Sequence, residues 1–114
     1  MQGSDRTERA LRLLGLAVKG GRVTVGVPLI CDALKKSAAD KKPRLVLLAS
    51  DASANSQKRM RDRTAFYGVE CRDISADSGR LALAVGKREA AVVAVAVSDG
   101  GLADAILQIL DDTK

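Results

Sequence analysis

Histidine is absent from this chain. Its absence excludes imidazole-based triads and histidine metal sites. Aromatic residues are almost absent too: Phe66 and Tyr67 are the only two. This argues against a single-strand binder that stacks successive bases on several exposed rings. Cysteine occurs twice, as Cys31 and Cys71, with no CxxC spacing. A zinc ribbon or a thioredoxin-type motif is thereby excluded. No apolar run approaches the length of a membrane span, and no signal-peptide pattern is visible. With so few cysteines, the expected setting is the reducing cytoplasm, with no membrane as partner.

What remains is aliphatic and basic. Hydrophobic residues make up 46% of 114, so Leu, Val, Ile and Ala must build the core. That length suits one domain with a single modest core, expected over 5–112, with 1–4 as a leading tail. Lys and Arg number 19 against 14 Asp and Glu, a net charge of +5. Net basicity in a small domain favours an anionic partner, nucleic acid first.

Hydrophobic periodicity alternates between two kinds of element. Asp5 or Thr7 is expected to cap a first helix with the stripe Leu11, Leu14 and Val18, closed by Gly20-Gly21. Arg22 to Val25 reads as a short extended piece. Gly26 opens a second helix to about Lys36, with Pro28 in its first turn, where a missing N–H costs nothing. Cys31 joins the apolar stripe of Val27, Ile30 and Leu34, so packing is its expected role. Ser37 to Lys42 is a polar connector. Arg44 to Ala49 is a continuous apolar run, the mark of a strand buried on both faces. Ser53 or Asp51 is expected to cap a third helix reaching about Phe66. Val69 to Ile74 is a second strand. Asp77-Ser78 starts a fourth helix that Gly86 ends. Ala91 to Val97 is another continuous apolar strand, and Gly100-Gly101 leads into a last helix. Helices alternating with strands predict a three-layer α/β/α sandwich around a mixed, mostly four-stranded sheet, with the two apolar strands adjacent.

Catalytic groups are poorly supplied. Asp51 and Asp99 each follow a strand at its carboxyl end, where α/β enzymes place reacting groups. Helix capping accounts for both more simply. The span from Gly79 to Lys87 fails the P-loop spacing, and no GxGxxG occurs. The chain is therefore expected not to be an enzyme and to need no metal or cofactor. Basic residues are better placed. Lys19 and Arg22 flank the double glycine. Gly26, Val27 and Pro28 form a helix N-terminus, where free N–H groups and the helix dipole favour phosphate. Lys58, Arg59, Arg61 and Arg63 crowd the third helix, and Arg80, Lys87 and Arg88 add charge further on.

Five stretches carry a family resemblance. They are Leu14 to Val23 (LGLAVKGGRV), Leu45 to Ser53 (LVLLASDAS), Phe66 to Val69 (FYGV), Leu81 to Lys87 (LALAVGK) and Ala94 to Ala103 (AVAVSDGGLA). In this order they resemble the L-seven-Ae/L-thirty-e ribosomal-protein family, most closely its small bacterial YlxQ-like branch. The resemblance spans nearly the whole chain. It implies an α/β/α sandwich and, as in many members, binding to kink-turn RNA. Kink-turn binders read Gly-Thr-Asn-Glu or Gly-Thr-Lys-Gln at the start of the second helix, with a lysine three residues on. Here the stretch is Gly26-Val27-Pro28-Leu29, and Asp32 stands at the lysine position. Ala82 replaces a usual glycine.

The leading expectation is a non-enzymatic protein that binds rRNA or another structured, kink-turn-like RNA and associates with the ribosome. Its expected contact surface is Lys19, Arg22, Gly26, Val27, Pro28 and Arg80, with Lys58 and Arg59 more peripheral. The alternative is a protein-interaction adaptor on the same fold with kink-turn recognition weakened or lost.

Overall fold

A computed structural model of the chain describes residues 2–36, 42–87 and 90–111. Met1, Arg88, Asp112 and most of the expected connector after Lys36 lie outside the described residues. The elements run in the order α1 (Gln2–Lys19), β1 (Val23–Val25), α2 (Val27–Lys36), β2 (Leu45–Leu48), α3 (Ala54–Tyr67), β3 (Glu70–Asp73), α4 (Ser78–Ala84), β4 (Ala94–Val97) and α5 (Gly100–Asp111). One four-stranded sheet has the order β1-β4-β2-β3. β2 and β3 are parallel, and the other two pairings are antiparallel. The two apolar runs are neighbours, as expected, with Leu45 opposite Val97 and Leu48 opposite Ala94.

Successive side chains on a strand point to opposite faces. Both central strands are wholly buried, so each face must be covered. Leu45, Leu47, Val95 and Val97 pack with Leu14, Leu81 and Ile106 from α1, α4 and α5. Val46, Leu48, Ala94 and Ala96 pack with Ile30, Cys31, Leu34 and Met60 from α2 and α3. The result is the expected sandwich, with an aliphatic core apart from Met60, Cys31 and the buried Thr7 and Thr64.

One capping expectation is corrected, and a second is resolved between its two alternatives. The first helix begins at Gln2, so Thr7 lies inside it, and Thr7 is buried. The third helix is capped by Ser53, whose hydroxyl accepts the Ser56 N–H at 3.1 Å. Asp51 instead reaches the start of α4. Two parallel strands followed by helices bring those helix starts side by side, so the carboxylate meets the next helix rather than its own.

Strand direction decides where the helices begin. β2 and β3 run the same way, so α3 and α4 both start at one end of the sheet. β1 is antiparallel to β4, which is antiparallel to β2. β1 therefore also runs with β2, and α2 starts at that same end.

Candidate nucleic-acid interface

Three helix N-termini thus share one end of the sheet, but they are not equivalent. The start of α3 is capped by Ser53, whose hydroxyl takes the Ser56 N–H. The start of α4 is satisfied twice. Asp77 accepts the Arg80 N–H at 2.9 Å, and Asp51 accepts the Ser78 N–H and hydroxyl, each at 2.8 Å. The Ser78 hydroxyl bond holds the Asp51 carboxyl below its usual range. This terminus is therefore already occupied by two carboxylates.

The start of α2 differs. Its flanking residue is Gly26, which has no side chain to cap with, and its first turn carries no acid. Gly26 sits at φ 97°, where a side chain would be strained. Its N–H bonds the Ala94 carbonyl at 3.0 Å, tying the turn to the sheet. The Val27 and Leu29 N–H groups have no acceptor among the described residues. Unsatisfied N–H groups at a helix start attract anions.

Lys87 lies beside this helix. Gly86, at φ 79°, turns the chain out of α4. Lys87 is then pinned through its N–H to the Ala82 carbonyl at 2.8 Å. Its side chain borders the cleft formed by Val25, Leu29 and Asp32. From sequence, Lys87 had charge but no location. The glycine that stops α4 was visible, but the placement beside α2 comes from the β1–β4 pairing.

The expected contact residues divide into groups. Gly26, Val27 and Pro28 stand at the α2 start, and Arg80 lies in the first turn of α4 at the same end. Lys58 and Arg59 lie in the second turn of α3, on the layer shared with α2. Lys19 and Arg22 do not join them. They precede β1, and the Arg22 carbonyl accepts the Ser98 N–H at 2.9 Å, at the far end of β4. Arg22 and Gly26 are separated by roughly 13 Å of strand at ~3.3 Å per residue.

Several expected contacts are also engaged within the protein. Arg80 is paired with Glu8 on α1. Lys58 pairs with Asp62 at 2.9 Å, which raises its pKa. Arg59 is exposed and makes no ion pair among the described residues. Val27 is only 9% exposed, and its side chain belongs to the core under α2.

Among the described residues, no constellation for catalysis emerges around these groups. Asp99 caps α5 by accepting the Leu102 N–H at 3.0 Å. Cys31 is buried, and burial pushes the Cys71 thiol up. Among the described residues, no group of three or more His, Cys, Asp or Glu could hold a metal ion, and no helix is long and apolar enough to cross a membrane.

No family model matches the chain. Over 99 residues it is 36% identical to the RNA-binding protein YlxQ of Bacillus subtilis (strain 168), covering 87% of this chain and 92% of that one. The chain belongs to the YlxQ branch of the L-seven-Ae/L-thirty-e family. The RNA-binding protein YlxQ of Enterococcus faecium is 28% identical over 71 residues, 62% of this chain and 65% of that one. Among solved structures, a protein of unknown function from Bacillus halodurans C superposes with a TM-score of 0.78 at 25% identity, over 90% of this chain and 97% of that one. The Giardia lamblia 15.5 kD RNA binding protein shares the fold, with a TM-score of 0.74 at 14% identity, over 93% of this chain and 85% of that one.

The departures from the family's kink-turn reading residues now have locations. Pro28 and Leu29 are exposed on the first turn of α2, Leu29 at 60%. Asp32, at the family's lysine position, pairs with Lys36 one turn on at 3.4 Å. Both partners are exposed, so the pair contributes little stability. It does offset the charge that Asp32 would present to phosphate.

Proposed function

We propose that this chain is a non-enzymatic RNA-binding protein that meets structured RNA at the end of the sheet where α2 starts. One observation carries the reading. Of the three helix N-termini gathered at that end, the one at α2 has no side-chain cap and no acid in its first turn, and it has Lys87 beside it. The YlxQ relatives, named as RNA-binding proteins, support the same partner.

In this reading the N–H groups of Val27 and Leu29, beside the Gly26 turn, hold phosphate, and Lys87 adds charge. Lys58 and Arg59 extend the surface along α3, and Arg80 contributes at its edge. Lys19 and Arg22, at the other end of β1, reach phosphates further along the RNA. Phosphate contacts supply affinity, and the shape of the folded RNA supplies selectivity. The cytoplasmic ribosome is the proposed setting, with rRNA as the proposed RNA. The carboxylates that could have served catalysis, Asp51 and Asp99, are committed to helix starts.

A salt titration of binding to kink-turn RNA, a generic duplex and rRNA fragments tests this. Neutralising about three to five phosphates gives a log–log slope of roughly −2 to −4, at ~0.7–0.9 per contact. The expected result is that slope, with folded RNA preferred over the duplex. Salt-insensitive binding, or equal affinity for all three, would overturn the proposal.

A further inference from the structure

The sheet has two edge strands, and only one is guarded. Along β3, Glu70, Arg72 and Asp73 are charged. Arg72 pairs with Glu70 at 2.7 Å and with Asp111 on α5, and Asp73 with Arg61 at 2.7 Å. Charges of this kind keep other strands from adding. β1 is Val23-Thr24-Val25, with no charge, proline or bulge.

The register says which backbone groups β1 leaves open. The Arg22 carbonyl bonds Ser98, and the Gly26 N–H bonds Ala94. Hydrogen-bonded positions alternate in an antiparallel pair, so Thr24 also faces β4, across from Ala96. The N–H and C=O groups of Val23 and Val25 therefore point away from the sheet. They open into a cleft of about 590 Å³ between β1 and α2, lined by Leu29, Asp32, Ala33, Lys36 and Lys87.

We infer that this cleft takes an extended acidic peptide segment of another protein, which adds as a fifth strand beside β1. The backbone groups select a peptide. Alternating donors and acceptors match a strand, whereas two outward carbonyls repel a phosphate backbone. Side chains select its composition. Leu29, 60% exposed, and Ala33 offer an apolar surface for alternate residues of the incoming strand. Lys36 and Lys87 against the single carboxylate of Asp32 leave the cleft with a net positive charge, which calls for acidic residues in the incoming strand. A second copy of this chain fits less well. It carries a net charge of +5 and would bring its own Lys36 and Lys87 to the same rim. This site overlaps the proposed RNA contact at Leu29 and Lys87, and differs from it in using the β1 edge, Ala33 and Lys36.

The test is a titration with a set of nine-residue peptides that alternate Val or Leu with Asp or Glu. Binding is followed by fluorescence anisotropy and amide hydrogen exchange on the intact protein. The expected result is saturable binding by members of the set, with at least tenfold slower exchange at Val23 and Val25. Proline placed at alternate peptide positions should abolish binding, and Lys36→Glu should weaken it several-fold. RNA binding by Lys36→Glu, measured in parallel, should change less than peptide binding, which separates this inference from the RNA proposal. The inference is overturned if no peptide saturates below millimolar concentration. Equal binding of the proline peptides, or protection at amides other than those of β1, also overturns it. So does protection of Val23 and Val25 that grows with protein concentration alone, which would assign the edge to a second copy.

Discussion

Asp51 and Ser78 join two helix starts through a pair of hydrogen bonds, each 2.8 Å long. Asp51 leaves the carboxyl end of β2, and Ser78 is the first residue of α4. The carboxylate thus ties the turn after one parallel strand to the helix after the next. It fixes one side of the sheet end where the α2 N-terminus lies.

That pair sets a pH dependence. The Ser78 hydroxyl bond holds the Asp51 carboxyl below its ordinary range. A carboxyl with a lower pKa in the folded state stabilises it fully above the unfolded value. That stabilisation fades as pH falls toward the folded value. Asp111, held down chiefly by its hydrogen bond from Arg72, acts in the same direction. The melting temperature should therefore drop as pH falls below about 4. Asp51→Asn should lower it at pH 7 and flatten the acid limb, measured by thermal scans from pH 7 to pH 3.

The central strands should be intolerant of truncation. Leu47 has no exposed surface and lies in the core between the sheet and α1, α4 and α5. Leu47→Ala should cost ~2–5 kcal/mol, the usual range for a buried leucine. Urea unfolding checks this, with the midpoint lowered and the slope unchanged.

The family positions on α2 should respond unequally. Pro28 and Leu29 are exposed, whereas Val27 is in the core. The triple change Pro28→Asn, Leu29→Glu and Asp32→Lys should tighten kink-turn RNA binding at least tenfold, or ~1.4 kcal/mol. Adding Val27→Thr should cost stability, since a hydroxyl replaces a methyl group in a packed layer. Binding by electrophoretic mobility shift and stability by urea unfolding separate the two effects.

The fold was legible because its evidence was local. Uninterrupted apolar runs at Leu45 to Leu48 and Ala94 to Val97 announce strands buried on both faces. Gly20-Gly21, Gly68 and Gly86 mark helix ends. The candidate site was less legible because it depends on strand direction. Nothing local says that Arg80 turns to Glu8, 72 positions away in sequence, or that Lys87 borders α2. Lys19 and Arg22 looked close to Gly26 along the chain. An extended strand between them carries them to opposite ends of the sheet. Asp51 was recognisable as a helix cap, but the helix it caps is set by the pairing of β2 with β3.

RNA contact at the α2 start is tested most directly by an NMR titration of the isotope-labelled protein with kink-turn RNA, following every backbone amide. Gly26, Val27, Leu29 and Lys87 should shift first and most, with smaller changes at Lys58 and Arg59. Shifts confined to Lys19, Arg22 and their neighbours at the other end of β1, or no shifts at any amide, would contradict it.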